Sequence, residues 1–209
     1  MISRTEENRA EFTEASRVAT LIRYAANKYF GRHTNVHANL LARCLLVVQA
    51  DTESARGERK FKNANASILK QFNVAKTSVQ SLLPVTFSNR IESAPEGKKA
   101  KLAFNIPFVP VTDCKKPAGA THLLLTTALV ALNPDVADEL PILTEKKEVI
   151  PINSITAIAS IETENTSIPA NYITFAIVDV SFAQEVNAVL YPLQSKNLNA
   201  SFISDTILA

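Results

Sequence analysis

The sequence predicts an α+β protein, with an N-terminal helical hairpin in residues 1–70 and an antiparallel β-sandwich of about seven strands in residues 71–209. Three observations predict it. Apolar residues recur every three or four positions through most of the first fifty, the period of a helix with one buried face. After residue 72 the chain changes to short runs of β-branched and aromatic residues cut by Pro, Asn and Asp, with no helical period between them. That pattern argues for antiparallel strands over βαβ units. Finally, the stretch 171–193, NYITFAIVDVSFAQEVNAVLYPL, reads as a long strand, a tight connection and a returning strand around which the second part is organised.

The first helix is expected over residues 5–30. Phe12, Ala15, Ala19, Ile22, Ala26 and Tyr29 fall three or four apart, with Val18, Leu21 and Ala25 beside them, forming a wide stripe opposite Glu14, Arg17 and Arg23. Thr5, followed by residues 6–8, supplies N-cap chemistry, and Gly31 suits a left-handed stop. A second helix is expected over residues 35–50, capped by Thr34 or Asn35, with Val36, Leu40, Leu41, Cys44, Leu45 and Val48 as its core face. Two such faces meet most simply as a hairpin, which should bury Ile22, Leu41 and Leu45. Residues 51–65, DTESARGERKFKNAN, are polar and form the connection.

Strands are expected at 79–91 with a break at Pro84, 101–108, 121–132, 148–161, 171–182, 189–193 and 200–208. Breaks fall at Glu96-Gly97, 110–119, 133–135, 145–147 and 165–169. In the long strand the apolar set moves from odd positions, 173 to 177, to even positions, 178 to 182. A bulge near Val178, or burial on both faces, is required. The last run, ASFISDTIL at 200–208, has no Lys or Pro, so it either closes its own sheet or adds to a neighbour's.

Composition narrows the function classes. With 209 residues, 46% hydrophobic and 20% charged, the chain has enough apolar material for a sizeable core. No apolar run suffices for a membrane span, and residues 1–14 hold four acids where a secretory leader needs an apolar core. No signal peptide is expected, so the location expected is cytoplasmic, or outside the cell as part of a released assembly. Cys44 and Cys114 read as buried free thiols. Residues 1–70 carry 12 Lys and Arg against 7 Asp and Glu, while residues 71–209 carry 10 against 13. The basic front reads as a solvated helix face, or as a surface for the acidic back of another copy, before it reads as a nucleic-acid surface, because acids interrupt it throughout.

No chemistry-bearing constellation is complete. His33, His37 and Cys44 have helical spacing that resembles metal ligation, but no second cluster completes a site. His122 lacks any nucleophile signature around it. Gly31, Gly57, Gly97 and Gly119 stand far apart, which excludes a glycine-rich phosphate cradle. The acid pairs Asp138-Glu139 and Glu162/Glu164 sit in polar turns. No catalytic, cofactor-binding or metal-ligating residue is therefore assigned, and no cofactor is expected. The absence of Trp gives a carbohydrate-binding surface little support.

Four segments, RTEENRAEF (4–12), VVQADTESARGERK (47–60), PAGATHLLL (117–125) and FAQEVNAVLYPL (182–193), together resemble a family of uncharacterised bacterial proteins in which they recur in that order. The resemblance implies a helical front and a β-rich back, and no activity. Members commonly have a further N-terminal segment of β character and an Asn-Gly turn where this chain has Asn187-Ala188. The expected function is a non-enzymatic structural subunit that self-associates into a particle, tube or filament. The alternatives are a sandwich that binds a carbohydrate or peptide, and a nucleic-acid binder using the basic front.

Overall fold

The computed structural model describes residues 3–30, 36–74, 77–83, 86–104, 114–136, 139–154, 159–193 and 198–208. Helix α1 (Arg4–Ala25) starts on a capping box two residues before the expected Thr5. Ser3 N donates to Glu6 Oε2 at 2.8 Å, and Ser3 Oγ accepts from Glu6 N at 3.3 Å. The Ser-x-x-Glu spacing satisfies two orphan donors at once, which Thr5 has no partner to match. A short helix, α2 (Asn27–Phe30), follows directly, and α3 (Val36–Gln49) packs against α1. Gly31, Thr34 and Asn35, the expected stop and caps, lie outside the described residues.

The apolar stripe is shifted from expectation at its ends. Ile22 is buried, whereas Leu41 and Leu45 are half-buried at the margin of the core and Phe12 is 50% exposed. Helix α1 meets its neighbours through Glu11, Glu14, Ala15 and Val18, which leaves Phe12 on the outer flank. The buried acids anchor the 51–60 connection. Glu11 accepts from Gly57 N at 3.2 Å and pairs with Arg59, and Glu14 accepts from Phe61 N at 3.4 Å.

Among the described residues nine strands follow: β1 (Phe72–Asn73), β2 (Phe87–Ala94), β3 (Gly97–Phe104), β4 (His122–Leu132), β5 (Ile142–Pro151), β6 (Ser160–Glu162), β7 (Ile173–Val186), β8 (Val189–Leu193) and β9 (Ala200–Leu208). Residues 79–82 form a helical turn, α4 (Val79–Leu82), capped by Ser78, where a strand was expected. The expected break at 145–147 is the middle of β5. A charged TEKKE run suits an edge strand, whose exposed side chains blunt pairing with other chains. All pairing among the described residues is antiparallel, in a larger sheet ordered β1-β9-β7-β4-β5, with β8 beside the end of β7, and a smaller sheet ordered β2-β3-β6.

The larger sheet is the middle of three layers. Side chains alternate across a strand, so Ala128, Val130 and Leu132 of β4 meet the helices while Leu123, Leu125 and Leu129 meet the other side. On β7, Ile173, Phe175 and Ile177 face the helices, and Val178, Val180 and Phe182 face the region of the small sheet and α4. Burial on both faces thus explains the odd-to-even switch. The register irregularity lies on the partner strand, where Ala176 and Ile177 oppose Asp205 and Ile203, so Ser204 is the extra residue. Ser204 accepts from Asn89 Nδ2 at 2.8 Å and Asp205 from Ile91 N at 2.9 Å, so the bulge aims two acceptors at β2.

Strand β9 lies between β1 and β7, so the C-terminal run closes its own sheet. The small sheet is tied on its charged face by Lys101 and Lys99, whose hydrogen bonds hold the Glu162 carboxyl down at about 2. Gly97 sits at φ +140° as the first residue of β3, and a Cβ there would stand 2.3 Å from Thr166 O. No side chain fits that approach.

The β7–β8 turn has both central residues in the left-handed region, Asn187 at φ 52° and Ala188 at φ 62°, which is the type I′ geometry of two-residue hairpins. For Ala that conformation costs 1 to 2 kcal/mol, offset in a Gly variant by greater unfolded-state entropy. Ala188→Gly should therefore stabilise the fold by about 0.5 to 1 kcal/mol and raise Tm by roughly 2 °C. A lowered Tm in a calorimetric scan would contradict this account of the turn.

Candidate functional site

The residues marked by the sequence do not converge. His33 lies outside the described residues, as does Asp138. His37 is half-buried on α3, and its Nδ1 has no hydrogen-bond partner among the described residues. Cys44, two turns further on, is fully buried between helices and sheet, where burial pushes its thiol up to about 12. A thiol so protonated acts as apolar filler and not as a nucleophile. Cys114 is also buried, in the cluster on the opposite side of the sheet. Glu139 bonds Tyr172 and raises its hydroxyl pKa. Among the described residues no three His, Cys, Asp or Glu gather as a metal site.

A pocket of about 150 Å³, walled by charged and hydroxyl side chains together with Leu124 and Pro192, opens between α2 and the sheet. Here the helix-side positions of β7 change from Phe175 and Ile177 to Asp179 and Ser181, all of them buried. Lys28 and Tyr29 of α2 both hydrogen-bond the Glu145 carboxylate of β5. Burial alone would raise the Glu145 pKa, but these two bonds together with the charges of Lys28 and Lys147 outweigh it and lower it. Ser201 donates to Asp179 and stands 3.3 Å from the Tyr29 carbonyl oxygen. Each carboxylate is matched by a donor from another element, so the cluster fastens α2 to the sheet.

Along the outside of α1 lies a groove of about 420 Å³ where Arg9, Arg17, Arg59 and Lys60 meet Glu6 and Glu14. Four bases against two acids make it weakly cationic. A second, mainly apolar groove of about 420 Å³ continues along the same helix between Phe12 and Leu21, with Arg17 as its one charged wall. Tyr24 stands one turn beyond Thr20, 65% exposed.

The feature that composition and periodicity did not disclose is at the other end of the sheet. Strand β7 has fourteen residues and β4 eleven, and the first residue of β4, His122, pairs with Ala183. Beyond Ala183 the β7–β8 hairpin continues as a two-stranded arm. Every residue from Gln184 to Tyr191 is exposed, including Val186 at 45%, Val189 at 50%, Leu190 at 39% and Tyr191 at 53%. Pairing of Val186 with Val189 and of Gln184 with Tyr191 puts both valines and Tyr191 on one face. The root is held firmly. Glu185 N donates to Thr121 Oγ1 at 2.6 Å, and Glu185 Oε2 lies 3.4 Å from His122 Nε2, whose ring also contacts Thr121. Pro192 opposes Ala183 at a position that turns its nitrogen outward, so the free edge of β8 lacks a donor there.

No protein-family model, curated protein or solved structure matches this chain. The resemblance to uncharacterised bacterial proteins accordingly rests on its four sequence segments alone. No helix among the described residues is long and apolar enough to cross a membrane.

Proposed function

We propose that this protein is a non-enzymatic structural subunit that associates with copies of itself into a larger particle, tube or filament. The observation that carries the reading is the apolar β7–β8 arm. A two-stranded ribbon is marginal in water by itself, and this one exposes four large apolar side chains while holding Ala188 in a left-handed turn. Its surface is stabilised by being covered. Exposed apolar ribbons of this kind also invite association, which monomeric proteins oppose with Lys or Pro. Between Ala183 and Leu193 there is no Lys or Arg, and the one Pro, Pro192, stands at the root of the arm, outside its exposed apolar stretch 186–191.

Sedimentation and electron microscopy of the purified chain test the proposal. Discrete multimers or extended assemblies are expected. Because the contact is apolar, they should persist from 0.1 to 1 M salt, over which the Debye length falls from about 10 to 3 Å. A chain that stays monomeric at high concentration overturns the reading. Dissociation by salt would assign the contact to the basic front and acidic back.

A further inference from the structure

Resting on that reading, we infer that the arm of one copy seats in the apolar groove of α1 on the next, joining copies head to tail. Three observations lead there. First, arm and groove lie at opposite ends of the same sheet. The arm springs from Ala183, opposite His122 at the start of β4, whereas Arg17 in the groove wall donates to the Pro134 carbonyl just past the end of β4. Eleven residues of strand span about 35 Å, and the arm's three residue pairs beyond Ala183 reach only about 10 Å. A chain cannot seat its own arm, so the contact is between copies. It is also heterologous, because donor and receptor surfaces differ, and such contacts propagate into rings or open filaments.

Second, the chemistry of the two surfaces matches. The arm presents Val186, Val189 and Tyr191 on one face, and the groove offers half-exposed Phe12 and partly buried Leu21. Third, the alternative of strand addition is disfavoured on both sides. Pro192 removes a donor from the free edge of β8, and the outer strand β5 carries Lys146 and Lys147 and ends at Pro151. Side-chain packing is therefore the mode of contact we assign to the arm.

Two surface variants of the full chain test this. Val189→Asp damages the arm and Phe12→Asp the groove; both positions are 50% exposed, so each variant should keep the wild-type circular dichroism and melting temperature. Each alone is expected to be monomeric by analytical ultracentrifugation. Mixed one to one, they should form a pair of chains and stop, because only one intact arm and one intact groove remain compatible. If wild type assembles and Phe12→Asp assembles as well, the receptor lies elsewhere and this inference fails while the proposed function stands. If both variants are monomeric and the mixture forms no pair, the arm-in-groove contact is also wrong. If wild type is monomeric, the proposed function fails first and this inference with it.

Discussion

A chain ending at Ala200 is expected to be unfolded at 25 °C, with a far-UV spectrum lacking strand signal and a broad, non-cooperative melt. Residues 201–208 pair with β7 on one edge and β1 on the other. Their removal strips hydrogen-bonding partners from β7, the strand buried on both faces. Phe202 and Ile203 go from opposite sides of the sheet, each worth about 1.5 to 3 kcal/mol of burial. The loss extends to ties between layers. Ser201 bonds Asp179, Thr206 donates to the Ala66 carbonyl at 3.0 Å, and Asp205 pairs with Lys70 at 2.7 Å. Against a total stability of about 5 to 15 kcal/mol, these losses together are decisive. A truncated chain that melts cooperatively would show that β9 is an accessory to the sheet.

Asp51→Ala should cost about 3 to 5 kcal/mol at pH 7, measured by urea unfolding. Asp51 follows α3 and is fully buried. Its carboxylate accepts from Glu53 N at 2.9 Å, Ser54 N at 3.1 Å and Lys60 N at 3.0 Å, closing the connection that Glu11 and Glu14 fasten to α1. Alanine leaves three amides unpaired, and a hydrogen bond to a charged group contributes about 1.5 to 3 kcal/mol. Burial pushes the Asp51 carboxyl up, but the Ser54 hydroxyl and the three amides outweigh it and hold the carboxyl well below its usual range. In the unfolded chain it titrates near about 3.9. The stabilisation is therefore complete above pH ~4 and is lost as pH falls through the folded value. The difference between wild type and Asp51→Ala should narrow from pH 7 to pH 3. An equal difference at both would mean that the carboxylate charge plays no part.

Local pattern made much of the fold legible. The 3.6-residue period marked α1 and α3, the β-rich runs marked β4, β7, β8 and β9, and Asn187-Ala188 marked the tight turn. Local polarity misled where a tertiary neighbour reversed it. Glu11 and Glu14 are buried because loop amides meet them, and TEKKE is a strand because it lies at an edge. Capping at Ser3 was readable from the Ser-x-x-Glu spacing, which the Thr5 reading passed over.

By itself the sequence determined the two-part character of this protein, its helices and most of its strands, because helix and strand periods are properties of neighbouring residues. It did not determine which apolar residues end up covered. Phe12 and Ile22 belong to one stripe, yet one is half-exposed and the other buried; Val180 and Val189 belong to one hairpin and differ in the same way. Only the tertiary structure decided that. Covering depends on how far each neighbour extends in space, and β4 stops three residues short of β7, leaving the arm uncovered for a reason no window of sequence around it contains.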